Sequence, residues 1–168
     1  MSGGRQRGFT YVAVLILVAT LGAVGAAFGE LTSHAVQREK ERDLLFVGNE
    51  YRKAIASYYR GTPGAIKRYP QSLDDLLEDR RYPNPVRHLR RHYRDPLTGG
   101  PDWGLLRAPE GGIRGIHSLS QEPPVKSGGF AYRDRTLEGA ATYAQWHFAH
   151  DGDSPLGLVP PRAQETAK

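Results

Sequence analysis

The sequence contains no cysteine, which excludes a disulfide framework, a thiol nucleophile and a zinc–thiolate site. Charged residues are absent from residues 8–29, a run of 22, and no acidic residue precedes Glu30. Proline is absent from residues 1–62, although the whole chain has 12 prolines. No internal repeat occurs. Together these absences permit a long apolar helix at the N-terminal end, because nothing in that segment breaks or charges it.

The rest of the chain is polar and basic, with a net charge of +5 and 20 glycines in 168 residues. This length is enough for one small domain and one extended element. The positive charge favours solubility and contact with acidic surfaces, and by itself it is weak evidence for nucleic-acid binding.

The apolar run has the length of a membrane span. At about 1.5 Å per residue, 20 to 22 helical residues cover about 30 Å, the thickness of a bilayer hydrocarbon core. Arg5 and Arg7 precede the run, so the positive-inside rule predicts a cytoplasmic N-terminus and an external C-terminal part. The alternative is a cleaved secretory signal peptide, for which "GAVGAA" offers small residues. The length of the run and its abrupt start at Phe9 count against that alternative.

The junction Gly8-Phe9-Thr10, between a short basic leader and the apolar run, resembles the class III signal of type IV pilin-like proteins. The resemblance implies cleavage by a prepilin peptidase between Gly8 and Phe9, N-methylation of Phe9 and retention of the helix. Residues 1–8 would be the leader and 9–29 the transmembrane helix. Major subunits of that family carry Glu at the fifth mature position, where this chain has Ala13. The choice between a major and a minor subunit therefore stays open.

Beyond the apolar run, residues 30–60 predict a continuation of the same helix. One apolar face recurs at steps of three or four residues: Leu44, Val47, Tyr51, Ile55 and Tyr58. We expect one helix from Phe9 to about Arg60, which Gly22, Gly25, Gly29 or Gly48 can bend. The alternative is a charged linker at 37–43 between two helices.

Residues 61–150 predict a small globular α+β domain. "GTPG" ends the long helix, and short helices are expected from Ser72 and from Asn84. "DPLTGG" at 95–100 has the residues that favour a turn. Strands are expected at 103–108 and 113–119, joined by a turn at 110–112, and a third at 143–150 with Trp146 and Phe148 on one face.

These elements predict an α+β fold in which a long N-terminal helix, transmembrane and then amphipathic, packs on a small antiparallel sheet. The sheet and the C-terminal half of the helix need each other, because neither is stable alone in water. The tail, 151–168, is rich in proline and is expected to be disordered.

The order of these parts resembles type II secretion pseudopilins, from Gly8 to about Ala149. The stretches that carry the resemblance are "RGFTYVAVL", "ERDLLFVGNEYRKAIASYY", "YPQSLDDLLEDRR", "DPLTGGPDWGLLR", "GIRGIHSLSQEPPVK" and "YAQWHFA". It implies a structural, non-enzymatic subunit, single-pass in the inner membrane with a periplasmic domain. Its partners would be other pseudopilin subunits, the prepilin peptidase, the inner-membrane secretion platform and membrane lipid, in support of protein export.

Candidate binding sites are few. The segment 80–94 holds six arginines with His88 and His92, and a solvated face or a surface for an acidic partner is the favoured interpretation over nucleic acid. His147, His150, Asp151 and Asp153 lie close in sequence, but on a strand the two histidines would point to opposite faces, which argues against zinc. Major pseudopilins carry calcium in a loop that corresponds to "SLSQEPPVKSGG", which offers one carboxylate, Glu122. We therefore predict no cofactor, with calcium left as an unsupported option.

No catalytic constellation is present in the sequence. Ser118 and Ser120 lie near His117 without the context of a nucleophile elbow. The paired carboxylates Asp74/Asp75 and Glu78/Asp79 are expected on a solvated face. Two alternatives to the secretion subunit remain: a periplasmic binding module, anchored or secreted, that enters no fibre, and a minor pilin for DNA uptake.

Overall fold

The computed structural model describes residues 6–150, without the side chains of residues 6–10 and 22–34. Residues 1–5 of the predicted leader and the predicted tail at 151–168 lie outside the described residues. The described fold is α+β, with a long helix and a three-stranded antiparallel sheet. The sequence-based prediction of this fold class is confirmed at that level.

Helix α1 comprises Gln6–Arg60, and the strands are β1 (Gly104–Arg107), β2 (Ile113–His117) and β3 (Phe148–Ala149), in the order β1-β2-β3. Short 3-10 helices occur at Asp74–Leu76, Tyr132–Leu137 and Tyr143–Gln145. The chain divides into two compact units, with the boundary between Lys40 and Glu41. The last 20 residues of α1 therefore belong to the same unit as the sheet.

Helix α1 ends where the sequence predicts an end, at Arg60, and it is assigned without a break through residues 37–43. Its predicted apolar face is buried: Leu44, Val47, Tyr51, Ile55 and Tyr58. At the C-terminus, Lys67 Nζ donates to the carbonyls of Arg60 (3.0 Å) and Thr62 (3.1 Å). A cationic donor suits the carbonyl of Arg60, because the last turn of a helix leaves carbonyls without intrahelical partners.

Gly48 allows a strand to pack directly on α1. A Cβ atom at this position would lie 2.4 Å from the Cγ and Cδ1 atoms of Phe148, so only a glycine accepts the ring there. The Phe148 side chain is fully buried, and the guanidinium of Arg52 lies 5.5 Å from its ring centroid. Gly48 and Arg52 are one turn apart on the same face of the helix. The sequence suggested Gly48 as a flexible point, and in the fold it is a close-contact point.

Strands β1 and β2 form the predicted hairpin. Gly104 is paired with His117 and Leu105 with Ile116, and the register shifts between Leu106 and Arg107. The connecting turn contains Gly111 and Gly112 with φ of 92° and 83°, values that side chains rarely tolerate. The hairpin prediction is confirmed, with strands shorter than expected.

The third strand is much shorter than predicted, since β3 contains only Phe148–Ala149. Residues 143 and 144 do not pair with β2, because their N–H groups donate to the carbonyls of Glu122 (3.1 Å) and Ser120 (3.0 Å). This segment forms a 3-10 turn instead, and Trp146 follows it. Trp146 and Phe148 are nevertheless both fully buried, as the alternating pattern predicted.

Of the two predicted short helices, the first is reduced to a single 3-10 turn and the second is wrong. After Ser72 only Asp74–Leu76 is helical, as a 3-10 turn that follows Leu73, and no side chain caps it. Asp75 Oδ2 accepts from the N–H of Ser72 (2.9 Å), as in one half of a capping box. The segment after Asn84 is not helical. Val86 forms an isolated bridge with Asp79, and the N–H groups of residues 88 and 89 donate to Leu76 O. These backbone groups bind another segment and are not available for a helix of their own.

Candidate functional site

The predicted processing junction, Gly8 and Phe9, lies within α1, but its side chains lie outside the described ones. The first side chain of the apolar run that the structure describes is that of Tyr11. The described part of the apolar run carries eight exposed large apolar side chains, with exposed fractions between 51% and 68%: Tyr11, Val12, Val14, Leu15, Ile16, Leu17, Val18 and Leu21. They face all sides of the helix, as in helices that are covered by lipid or by other helices.

The hydroxyl of Thr20, a polar group within this apolar segment, is hydrogen-bonded to the helix backbone. Its Oγ1 donates to the carbonyls of Ile16 (2.9 Å) and Leu17 (2.8 Å), so the polar atom needs no water. Ala13 is exposed in the same segment, and the position carries no carboxylate. Among the described residues, no helix is long and apolar enough to span a bilayer.

A buried carboxylate on α1 holds the loop after Ser120. Glu41 Oε1 accepts hydrogen bonds from the N–H groups of Val125 (2.7 Å) and Lys126 (2.9 Å) and from the hydroxyl of Tyr143 (2.8 Å). Glu41 is almost fully buried. Three donors on one carboxylate oxygen are a strong attachment, because hydrogen bonds to a charged group are stronger than neutral ones.

This attachment changes the interpretation of the loop that was considered for calcium. Its Val125 and Lys126 N–H groups point at a carboxylate, which is a donor arrangement suited to an anion. Glu122 is exposed in the loop. In the described part of the chain, no three His, Asp or Glu side chains come together in a group that could hold a metal ion. Asp151 and Asp153, considered for zinc, lie outside the described residues.

A second carboxylate fixes the next segment to the same helix. Asp134, buried in the 3-10 turn at Tyr132–Leu137, accepts from Arg52 Nη1 at 2.7 Å. The same Arg52 nitrogen also donates to Asn49 Oδ1 at 2.8 Å. The side chains of Arg52 and Asp134 are both largely buried, so the pair is shielded from the solvent that weakens surface ion pairs.

One arginine of the arginine-rich segment is structural. Arg81 binds Asp79 through two donors, Nε to Oδ1 (2.8 Å) and Nη2 to Oδ2 (2.6 Å). It also donates to the carbonyl of Tyr58 and to Thr62 Oγ1, and it stacks 3.5 Å from the centroid of the Tyr58 ring. The hydrogen bonds from Arg81 lower the pKa of Asp79 from its ordinary 3.8 to about 2, against the opposing effect of burial.

The remaining arginines of the segment are at the surface. Arg80 pairs with Glu78 at 3.1 Å. Four others are exposed, and no carboxylate of the described residues lies within ion-pair distance of them: Arg87, Arg90, Arg91 and Arg94. We call these four the arginine surface. Their positive charge is available to an acidic partner.

Ser57, His88 and Asp79 form a hydrogen-bonded line that the sequence did not indicate. Ser57 Oγ lies 2.8 Å from His88 Nδ1, and His88 Nε2 lies 3.2 Å from Asp79 Oδ2. Acyl-transfer chemistry also needs free N–H donors beside the serine to bind an oxyanion. Ser57 lies within α1, where the backbone N–H groups bond to helix carbonyls, so none is offered. The line favours a structural role in joining the segment to the helix.

The serine near His117 is also structural. Ser118 is fully buried and its Oγ donates to Asp95 Oδ2 at 2.6 Å. Asp95 in turn accepts from the N–H of Leu97 at 2.9 Å and so closes the predicted turn at 95–100. The sequence separation of 23 residues between Asp95 and Ser118 explains why this pair was not anticipated.

The comparisons with known proteins add no relative: no family model, no curated protein and no solved structure matches the chain.

Proposed function

We propose that the chain is a structural pseudopilin-like subunit of a type II secretion or related type IV pilus-like machine. It would assemble through its N-terminal helix in the inner membrane, with the N-terminus in the cytoplasm and the second compact unit in the periplasm. The proposal assigns no catalysis to the chain.

The observation that carries the proposal is the distribution of apolar surface along α1. Residues 11–21 expose apolar side chains on all sides, whereas residues 44–58 bury one apolar face under the α+β unit. Exposed apolar surface of this extent is unfavourable in water, at about 25 cal/mol per Å², so the segment requires lipid or neighbouring helices. In the sequence the apolar run continues on both sides of residues 11–21, from Gly8 to Gly29.

The first experiment is intact-mass analysis of the chain extracted from membranes. We expect a mature N-terminus at methylated Phe9. Gly8→Val should leave the leader attached, because a branched side chain replaces the glycine at the cleavage junction, and Gly4→Val is the matched control within the leader. Soluble protein beginning near Ala26 or Ala27 would refute the proposal.

The second experiment tests assembly by cysteine crosslinking. Because the chain has no native cysteine, any crosslink must involve the introduced thiol. A single Ile16→Cys substitution places a thiol on the exposed apolar segment. We expect oxidation in membranes to give dimers or higher crosslinked species. The same cysteine in the unprocessed Gly8→Val chain is the control and should give fewer. Monomer alone in the processed chain would favour a periplasmic binding module.

The arginine surface supports a second candidate, a binding module or DNA-uptake pilin that recognises an acidic partner. Double-stranded DNA is the probe for uptake. In this case binding should weaken with salt, and Arg87→Gln with Arg90→Gln should reduce the salt dependence. Arg80→Gln, at an arginine already paired with Glu78, is the matched control. Absence of salt-sensitive retention would eliminate the uptake candidate.

A further inference from the structure

Two histidines lie side by side on the outer face of the sheet. Ile116 of β2 is opposite Phe148 of β3. His117 follows Ile116 in β2, and His147 immediately precedes β3. Their ring centroids are 5.5 Å apart, with an angle of 55° between the planes. Ile116 and Phe148 are fully buried. Because successive residues of a strand face opposite sides, the two histidines share the side away from the core.

The hydrogen bond of His117 fixes its tautomer. Its Nδ1 lies 2.8 Å from the carbonyl oxygen of Ser118. A carbonyl can only accept, so Nδ1 carries a proton, and Nε2 is the nitrogen that has the lone pair in the neutral ring. Histidines that bind metals commonly use this arrangement, in which a backbone carbonyl holds one nitrogen and the other binds the ion.

The side chain of His147 is exposed, so an ion in solution can reach it. The cation of Arg114 acts on His147 and opposes a bound metal ion.

We propose that His117 and His147 bind one transition-metal ion of the class that prefers imidazole, such as Zn²⁺ or Cu²⁺, with water in the other coordination positions. Two imidazoles bound at about 2.0–2.1 Å to one tetrahedral ion have ring centroids about 5 Å apart. The observed separation of 5.5 Å is close to this value. The Cε1–Nε2 edge of His117 lies against Gly104 of β1, so the ring must turn towards His147 to share an ion.

This site differs from the metal candidate that the sequence offered. His150 does not join His147, because its ring lies against the rings of Tyr59 (5.5 Å) and Tyr69 (6.3 Å). The partner of His147 comes from 30 residues earlier in the chain. Pairing across strands creates the site, and neither the pilin-like assembly nor secretion is needed for it.

Gly104 offers a test that removes no ligand. It lies opposite His117 in the hairpin, and a Cβ atom there would come within 2.1 Å of Cε1 and 2.2 Å of Nε2 of the His117 ring. The backbone of Gly104 is not in the left-handed region, so alanine is tolerated by the main chain. Gly104→Ala therefore displaces the ring of His117 and leaves both histidines in the sequence.

The experiment is calorimetric titration of the purified full chain with Zn²⁺ at about pH 7.5, and again at about pH 5, where imidazoles become protonated. We expect one ion per chain, at least about tenfold weaker binding in His117→Gln, His147→Gln and Gly104→Ala, and loss of binding at the lower pH. His92→Gln, at an exposed histidine bonded to Asp74, is the control and should bind as the parent does. Unfolding midpoints without metal verify that each variant is folded.

Three results would overturn the proposal. The first is absence of Zn²⁺ binding by the parent chain at the higher pH. The second is unchanged affinity in either histidine variant. The third is one ion per two chains, which would assign the ion to a contact between copies.

Discussion

The packing of Phe148 on Gly48 predicts that Gly48→Ala lowers the stability of the fold, the opposite of the usual effect of this substitution in a helix. In an ordinary helix interior, Gly→Ala stabilises by about 1 kcal/mol, because alanine has the higher helix propensity. At Gly48 the added Cβ would lie 2.4 Å from two ring atoms of Phe148 and 2.6 Å from a third. Contacts this short require the ring to move.

The cost follows from how tightly the ring is held. Phe148 is fully buried, it is paired with Ile116 of β2, and Arg52 lies on α1 one turn from Gly48. Adding a methyl group to a packed core costs about 1–3 kcal/mol, and three close ring atoms place Gly48→Ala near the upper end. After subtraction of the propensity gain, we expect a net destabilisation of about 2 kcal/mol.

Urea unfolding followed by tryptophan fluorescence measures this difference, since Trp103 and Trp146 are both buried reporters. The matched control is the same substitution in a Phe148→Ala background, where the ring atoms that meet the Cβ are absent. There Gly48→Ala should be neutral or stabilising. If Gly48→Ala stabilises the parent chain, Phe148 does not pack on this face of α1 and the position of β3 is wrong.

Three further predictions concern the contacts with α1 and their pH dependence. Glu41→Gln should lower the free energy of unfolding by about 1.5–3 kcal/mol, because hydrogen bonds to a charged group are lost. Glu122→Gln, at an exposed carboxylate, should change it by less than about 0.5 kcal/mol. Equal effects of the two substitutions would contradict the Glu41 contact. The depressed pKa of Asp79, about 2 against 3.8, contributes stability above about pH 4 that is lost as pH falls towards 2, a difference of about 2 kcal/mol; urea titrations across this range should show the loss in the parent chain and a smaller one in Asp79→Asn. A chain that begins at Glu41 should unfold cooperatively, and one that begins at Gly61 should not. Each of the buried apolar side chains on α1 contributes about 1.5–3 kcal/mol, and their sum is comparable with a typical domain stability of about 5–15 kcal/mol. Cooperative unfolding of the shorter chain would contradict this.

The sequence predicts those elements whose signal is local. The stripe from Leu44 to Tyr58 has the period of a helix, and every member of it is buried. The hairpin follows from apolar runs on either side of glycines, and Gly111 and Gly112 adopt the positive φ that the turn needs. In both cases, residues within one or two turns of each other determine the structure.

The errors occur where the backbone bonds to distant segments. Ser72 and Asn84 have the chemistry of helix caps, yet the residues after Asn84 donate to Leu76 and Asp79. Likewise the backbone at Tyr143 donates to Glu122 and does not extend β3. No local pattern encodes such a choice, because cap and strand propensities are worth less than the hydrogen bonds that the tertiary contacts provide.

The least predictable contacts are also those that fix the loops of the second unit. Glu41 binds residues 125 and 126, Arg52 binds Asp134, and the carbonyl of Tyr58 accepts from Arg81. These contacts follow α1 over about 25 Å, at about 1.5 Å per residue. The sheet offers little alternative support, since β3 has two residues. The loops of this unit are therefore held in place by polar groups along one helix. These contacts explain how a domain rich in glycine and poor in strands has a defined core.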